Sequence, residues 1–280
     1  MVNGYRPQTL DEALEIRANT GAIPLAGGTD LMVRHKNIPG ALPKFEEPVV
    51  FISHLEEIRG VKAEDGIVKI GAATTLAELE NDEKIPAVLR EAISNMAARN
   101  VRHIATIGGN VCNASPAGDT LVPLYALDAG VKLASTNGVR TLPVQDFITG
   151  PGQTALAPDE ILTEIVIPTR SFTKEYYRKV GTRKAMALSR VSFAALADVN
   201  GGLIEDIRFA FGAVAPTVVR SREIEKQFIS RTVDEIKGDA PQWAQKFAPL
   251  LKPIDDQRAS AQYRRKVAIN LAVYFIEEIL

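Results

Sequence analysis

A single cysteine, Cys112, stands among 280 residues. One thiol forms no intrachain disulfide and cannot hold a cysteine-ligated iron–sulfur cluster. The three histidines, His35, His54 and His103, are scattered and supply no structural zinc set. No excess of positive charge is present: 33 Lys and Arg oppose 34 Asp and Glu, for a net charge of −1, which argues against a nucleic-acid partner. No polybasic segment marks a membrane surface. No apolar run approaches the ~20 residues that span a bilayer. The opening MVNGYRPQTLDEAL lacks the charged-then-apolar pattern of a secretory signal, so a cytoplasmic location is expected. Missing too are GxxxxGK[ST] and GxGxxG, which excludes a P-loop NTPase and the usual dinucleotide fingerprint.

What is present is a glycine pair used twice. PLAGGTDLM runs from Pro24 to Met32, and TIGGNVCNASPAGD from Thr106 to Asp119. Each is a short apolar run, a Gly-Gly pair and then small polar residues. A glycine pair lets backbone approach a ligand closely and adopt positive φ. Converging amides form an anion-binding concavity, and a following helix adds its dipole. Thr29 and Thr106 can add hydroxyl donors. The competing reading of either pair alone is a tight turn. Two loops together could grip a diphosphate from both sides.

The rest of the chain reads as mixed helix and strand, with a length that suits two or three subdomains. Thr9 and Glu12 form a capping box before a helix that Gly21 stops. AIPLAGG and PVVFIS read as strands in a small opening α/β unit. Gly66–Gly71 is a strand, Thr75 and Glu78 form a second capping box, and Pro86–Ala98 is a helix. VKLAS, GVRTLPV and EILTEIVIP follow as strands. YYRKV, RVSFAALADVN and EDIRFAFGAVAP form three antiparallel strands, with Asn200-Gly201-Gly202 as a turn. Val267, Ala268, Leu271, Ala272, Phe275, Ile276 and Ile279 mark a terminal amphipathic helix. The run Arg264-Arg265-Lys266 reads as its solvated face or a contact for another subunit. Trp243 and the pair Tyr176-Tyr177 read as core or interface. His103 reads as structural, and Cys112 as a small buried residue.

AGGTDLM followed by TIGGNVCNASPAGD resembles the FAD-binding, or medium, subunit of the molybdenum hydroxylases, nearest in pattern to bacterial xanthine dehydrogenases. Subunits of carbon-monoxide and nicotinate dehydrogenases are more distant. VKIGAATTLAEL, GVRTLPVQDFITGPGQTALAPDEILTEIVIP, RFAFGAVAPTVVR and DQRASAQYRR extend the likeness along the chain. The resemblance implies an α+β fold: two subdomains that clasp FAD in the manner of vanillyl-alcohol oxidase, over 1–55 and 56–170. A C-terminal three-stranded antiparallel sheet with helices would follow over 171–280.

It also implies site residues. The first pyrophosphate loop would be Ile23, Pro24, Leu25, Ala26, Gly27, Gly28, Thr29, Asp30 and Leu31, with amides from Ala26 to Thr29 as donors. Asp30 is better suited to cap a helix than to face a phosphate. The second loop would be Thr106, Ile107, Gly108, Gly109 and Asn110. Asp119 would accept from FAD hydroxyls, Leu162 would border the adenine or ring system, and Lys179 would lie near the isoalloxazine. Met96 stands where some relatives stack a Phe on the flavin. No acid, base or nucleophile is expected, since the chemistry belongs to the cofactor. A large molybdopterin-binding subunit and a small subunit with two [2Fe–2S] clusters would be partners, and NAD, ferredoxin or a quinone-linked carrier the acceptor. The rival readings are a flavin subunit for carbon monoxide, nicotinate or aldehyde, a stand-alone FAD oxidoreductase, and a non-enzymatic nucleotide-binding protein.

Overall fold

Local signals start the fold where the sequence places them. In the computed structural model, which describes residues 2–36, 38, 40–184 and 186–280, helix α1 (Leu10–Thr20) begins at Thr9. The Thr9 hydroxyl accepts from the Glu12 amide at 3.2 Å, and Gly21 ends the helix at φ +67°. The Glu12 carboxylate takes the amide of Gln8, at 2.6 Å, so the expected box closes one residue early. Helices α2 (Leu31–Arg34) and α3 (Leu76–Glu80) follow, the latter with the complete Thr75–Glu78 capping box. Next come α4 (Ala87–Ser94), α5 (Arg99–Arg102), α6 (Ile107–Asn113) and α7 (Leu121–Ala126).

These elements sort into two compact units. The first comprises the chain up to Lys84, Ala98–Ala114 and Ala129–Pro168; the second comprises Ile85–Ala97, Ser115–Asp128 and Thr169–Leu280. In the first, β1 (Gly4–Tyr5), β2 (Ile23–Leu25) and β3 (Val49–Phe51) form a parallel sheet in the order β1-β3-β2. Strands β4 (Val61–Glu64), β5 (Ile67–Gly71), β6 (Gly130–Ser135) and β7 (Gly138–Pro143) belong to a larger sheet. Between them and its last member, β10 (Ile161–Pro168), the chain makes the small hairpin β8 (Ile148–Gly150) and β9 (Gln153–Thr154). The order is β4-β5-β10-β6-β7, antiparallel throughout. Leu14 of α1, Val50, Ile52, Leu55, Ile58 and Ile161 close a buried core beneath the small sheet.

The second unit is built on the antiparallel meander β11 (Lys174–Val180), β12 (Val191–Asn200) and β13 (Leu203–Gly212). Gly201 and Gly202, at φ +56° and +82°, form the two-residue turn between Asn200 and Leu203, a geometry that needs positive φ at both positions. Phe193, Phe209 and Phe211 of the sheet pack with Phe228, Trp243, Phe247 and Phe275. Edge-to-face contacts occur among them, as between Phe209 and Phe275, with centroids 5.7 Å apart and planes at 86°.

The terminal helix, Ala261–Tyr274, corrects one expectation. Arg265 and Lys266 are exposed, but Arg264 is buried. It lies four and eight residues before Ala268 and Ala272, on the inward stripe. Its Nη1 donates to the carbonyls of Arg190 (2.6 Å) and Ala213 (3.2 Å), and its Nη2 to the Asp256 carboxylate at 2.8 and 2.9 Å. Among the described residues no helix is long and apolar enough to cross a membrane.

Candidate functional site

The first glycine loop leaves strand β2 and enters α2. Gly28 takes φ +67°, and a Cβ there would lie 3.1 Å from Met32 Cγ. Its carbonyl accepts from the Met32 amide at 2.8 Å. The amides of Gly27, Gly28, Thr29 and Asp30 meet no protein acceptor among the described residues. Gly27, Gly28 and Thr29 are half-buried and Asp30 is exposed, so a run of four such amides at one bend is a donor surface open to an anion. Gly27 has a separate reason to be glycine: a Cβ would sit 2.1 Å from the Ile104 carbonyl oxygen. Its bareness lets the first loop lie against the segment that feeds the second.

The second loop is organised differently. Thr106 caps α6, its hydroxyl accepting from Gly109 N at 3.1 Å. The amides of Ile107, Gly108 and Asn110 donate to Thr74 O (3.1 Å), Ala72 O (2.9 Å) and Thr106 O (3.0 Å). Segment 72–74 therefore claims donors that the sequence pattern left open. Gly108 is required by packing, since a Cβ would meet the Ala72 Cβ at 2.6 Å. What this loop offers a ligand is the Thr106 hydroxyl proton and a smooth glycine surface.

Both loops line one cavity of about 340 Å³ in the first unit, within the ordinary range for small-molecule sites. Ile23, Pro24, Ala26, Gly27, Gly28, Thr29, Asp30 and Leu31 face it, with Thr106, Gly108, Gly109, Asn110 and, from β10, Leu162. Leu25 and Ile107 do not. Leu25 lies beneath Gly28, and Ile107 is fully buried. Asp30 occupies the cap position of α2 without a side-chain cap bond, and its carboxylate accepts from Asn113 Nδ2 at 2.9 Å.

Sequence reasoning missed Arg17, Arg34, Ile52, Leu156 and Ile161 in this wall. Arg34 carried a signal, because it falls one helical turn after Asp30; its Nη2 donates to Asn113 O at 3.2 Å. Arg17 carried none. Cys112 also borders the cavity, and burial pushes its thiol up to about 12, so it is neutral there. Two guanidinium groups against the Asp30 carboxylate leave the wall net positive. With four open amides, the cavity suits a phosphate-bearing ligand that also has an apolar part.

Residues 1–170 match the family model described as the FAD binding domain in molybdopterin dehydrogenase, and residues 175–279 match the CO dehydrogenase flavoprotein C-terminal domain. The chain belongs to the FAD-binding medium subunits of the molybdenum hydroxylases. It is 36% identical to the xanthine dehydrogenase FAD-binding subunit of Escherichia coli O157:H7, over 79% of this chain and 77% of that one. It is 34% identical to the glyceraldehyde dehydrogenase medium chain of Sulfolobus acidocaldarius, over 98% and 96%. A solved carbon monoxide dehydrogenase from Hydrogenophaga pseudoflava, lacking the Mo-pyranopterin moiety of its molybdenum cofactor, superposes with a TM-score of 0.88 at 27% identity, covering 97% of this chain and 94% of that one. This medium subunit is thus an α+β flavoprotein with FAD as its cofactor. The bare glycine cradle, the open amides and the Arg34 side chain fit the diphosphate of that cofactor.

The remaining sequence-nominated residues of the medium subunit lie in the second unit. Asp119 is buried there and works as a hub. Its Oδ1 accepts from Tyr177 Oη (3.1 Å) and Ser189 Oγ (2.5 Å), and its Oδ2 from Lys179 Nζ (2.7 Å). Lys179 Nζ also donates to the Asn95 carbonyl at 3.0 Å, beside Met96, which is buried after α4. Burial, then the adjacent Asp119 charge, holds the Tyr177 phenol well above its usual range, so it remains a donor. The structure thus joins Asp119, Lys179 and the segment of Met96 into one network, and adds Tyr177 and Ser189 to it.

Proposed function

We propose that this medium subunit works in a multi-subunit molybdenum hydroxylase of the xanthine dehydrogenase kind, in the cytoplasm. A large molybdopterin-binding subunit would hydroxylate a purine, and a small subunit with two [2Fe–2S] clusters would relay the electrons. Bound FAD supplies the redox chemistry that links those clusters to NAD or another acceptor. The observation that carries the reading is the bend Gly27–Asp30, with its unpaired amides, lying against the approach to Thr106.

In this reading the chain's own residues bind and orient. The amides of Gly27 to Asp30 and the Arg34 side chain hold the diphosphate, and the Thr106 hydroxyl adds a donor. Gly108 and Gly109 give a surface without side chains, and Leu162 lines the apolar end. Asp119 and the Asn95 carbonyl hold the Lys179 ammonium in one position; a cation near a flavin favours the anionic reduced ring. Of the division 1–55, 56–170 and 171–280, the last boundary is supported by the change of family model between 170 and 175. The likeness to the xanthine dehydrogenase subunit supports the purine.

Purification of the native assembly tests this. Stoichiometric FAD on this chain, with a molybdopterin-bearing chain and a double-cluster chain co-purifying, is the expected result. A lone, colourless chain, or a lone flavoprotein that turns over an organic substrate, would overturn it.

A further inference from the structure

Arg17, in the last turn of α1, lines the cavity. Its Nε donates to Glu160 O at 2.5 Å and its Nη1 to Ala22 O at 2.9 Å; its Nη2 lies 3.5 Å from Ala157 O. The acceptor loop is itself clamped, because the Glu160 carboxylate pairs with Arg140 Nε at 2.5 Å and accepts the Ala157 amide at 2.7 Å. Guanidinium N–H groups all lie in the plane of the group. Arg17 therefore spends its edges on backbone carbonyls, and what it has left to offer is a flat cationic face. Among the described residues no carboxylate forms an ion pair with it, and the Asp159 and Glu160 charges act on it only from a distance.

Ile23, Ile52, Leu156, Ile161 and Leu162 line the same cavity, and the carbonyls that hold Arg17 belong to Ala22 and Glu160, the residues just before Ile23 and Ile161. The open amides lie elsewhere. Ala22, whose carbonyl holds Arg17, stands just before β2, whereas Gly27 stands after it. At ~3.3 Å per residue, the three residues of that strand alone set them roughly 10 Å apart. One end of the cavity thus suits an anion. The other suits a neutral π-system, the kind of group that stacks on a guanidinium. A dinucleotide has this same polarity, with a diphosphate at one place and a purine at another.

Resting on the FAD reading above, we propose that Arg17 holds the adenine of FAD, guanidinium face against the purine, and so makes the site prefer FAD to FMN. The test uses the full-length apoprotein with R17M and R17K, titrated with FAD, FMN, ADP and inorganic pyrophosphate. R17M should weaken FAD and ADP about 2- to 30-fold and leave FMN and pyrophosphate within twofold. R17K keeps the charge without the planar face and should fall between. Equal losses for pyrophosphate and ADP would reduce Arg17 to a source of positive potential, and unchanged ADP binding would remove the adenine contact; either overturns the proposal. FMN needs the folded site but no adenine, so the FAD-to-FMN ratio separates recognition from the structural tie to Ala22 and Glu160. Should R17M fail to fold, the ratio measured on R17K decides. A wild-type apoprotein that binds neither FAD nor ADP would instead defeat the flavin site itself, a distinct outcome.

Discussion

Gly27→Ala is the sharpest probe of the cradle. The added methyl would sit 2.1 Å from the Ile104 carbonyl oxygen and 2.8 Å from its carbon. Non-bonded carbons and oxygens need more than ~3 Å, so the first loop must withdraw by about 1 Å. Backbone on both sides forms the contact, so no side chain can swing away. Overpacking of this kind costs about 1–3 kcal/mol. Because the loop is partly open to solvent, it relaxes outward, and much of that cost falls on FAD, whose amide donors no longer converge. Expressed as affinity, the loss is about 5- to 150-fold. The assay is reconstitution of the apoprotein with FAD, followed by fluorescence, with a thermal melt of each apoprotein. Gly66→Ala is the control: Gly66 also belongs to the first unit, has φ +73° and faces open space. It should lose some stability and no FAD affinity. If Gly27→Ala binds FAD as tightly as the wild type, the loop is not the diphosphate cradle.

Other substitutions address other parts of the molecule. Asp119→Ala strips the acceptor from Tyr177, Ser189 and Lys179 and leaves a buried ammonium unpaired, a change worth about 3–5 kcal/mol; urea melts showing less than about 1 kcal/mol would refute the hub. The Asp256 carboxylate is held down to about 2, chiefly by the Arg258 amide. Its folded value lies below its unfolded one, so its contribution is present above pH ~4 and disappears as pH falls toward about 2; Asp256→Asn should flatten that part of the acid-denaturation curve, and an unchanged curve would count against it. The Cys112 thiol is raised to about 12 by burial, so its contribution is present below the unfolded value near 9 and is lost as pH rises toward 12. Cys112→Ala should lessen the alkaline loss of stability, and an unchanged alkaline limb of the denaturation curve would count against it.

Much of the fold was legible because its causes are local. Thr9 and Gly21 bracket α1, Thr75 and Glu78 start α3, and Gly201-Gly202 turns β12 into β13 through interactions within a few residues. The two glycine pairs were equally visible, since bare backbone after an apolar run is unusual wherever it occurs. Their different roles were not visible. Gly27 to Asp30 keep open amides, whereas Ile107 and Gly108 surrender theirs to Thr74 and Ala72, acceptors more than thirty residues away. The arginines teach the same lesson. Arg264 reads as surface and is buried; Arg17, which no sequence pattern singles out, stands in the cavity wall. A guanidinium tolerates either place only if carbonyls meet it, and here those carbonyls come from distant segments. Sequence alone determined which stretches turn, cap and alternate. Tertiary structure decided which polar groups were left over for a ligand, because satisfaction of a hydrogen bond depends on neighbours that only folding brings within 3 Å.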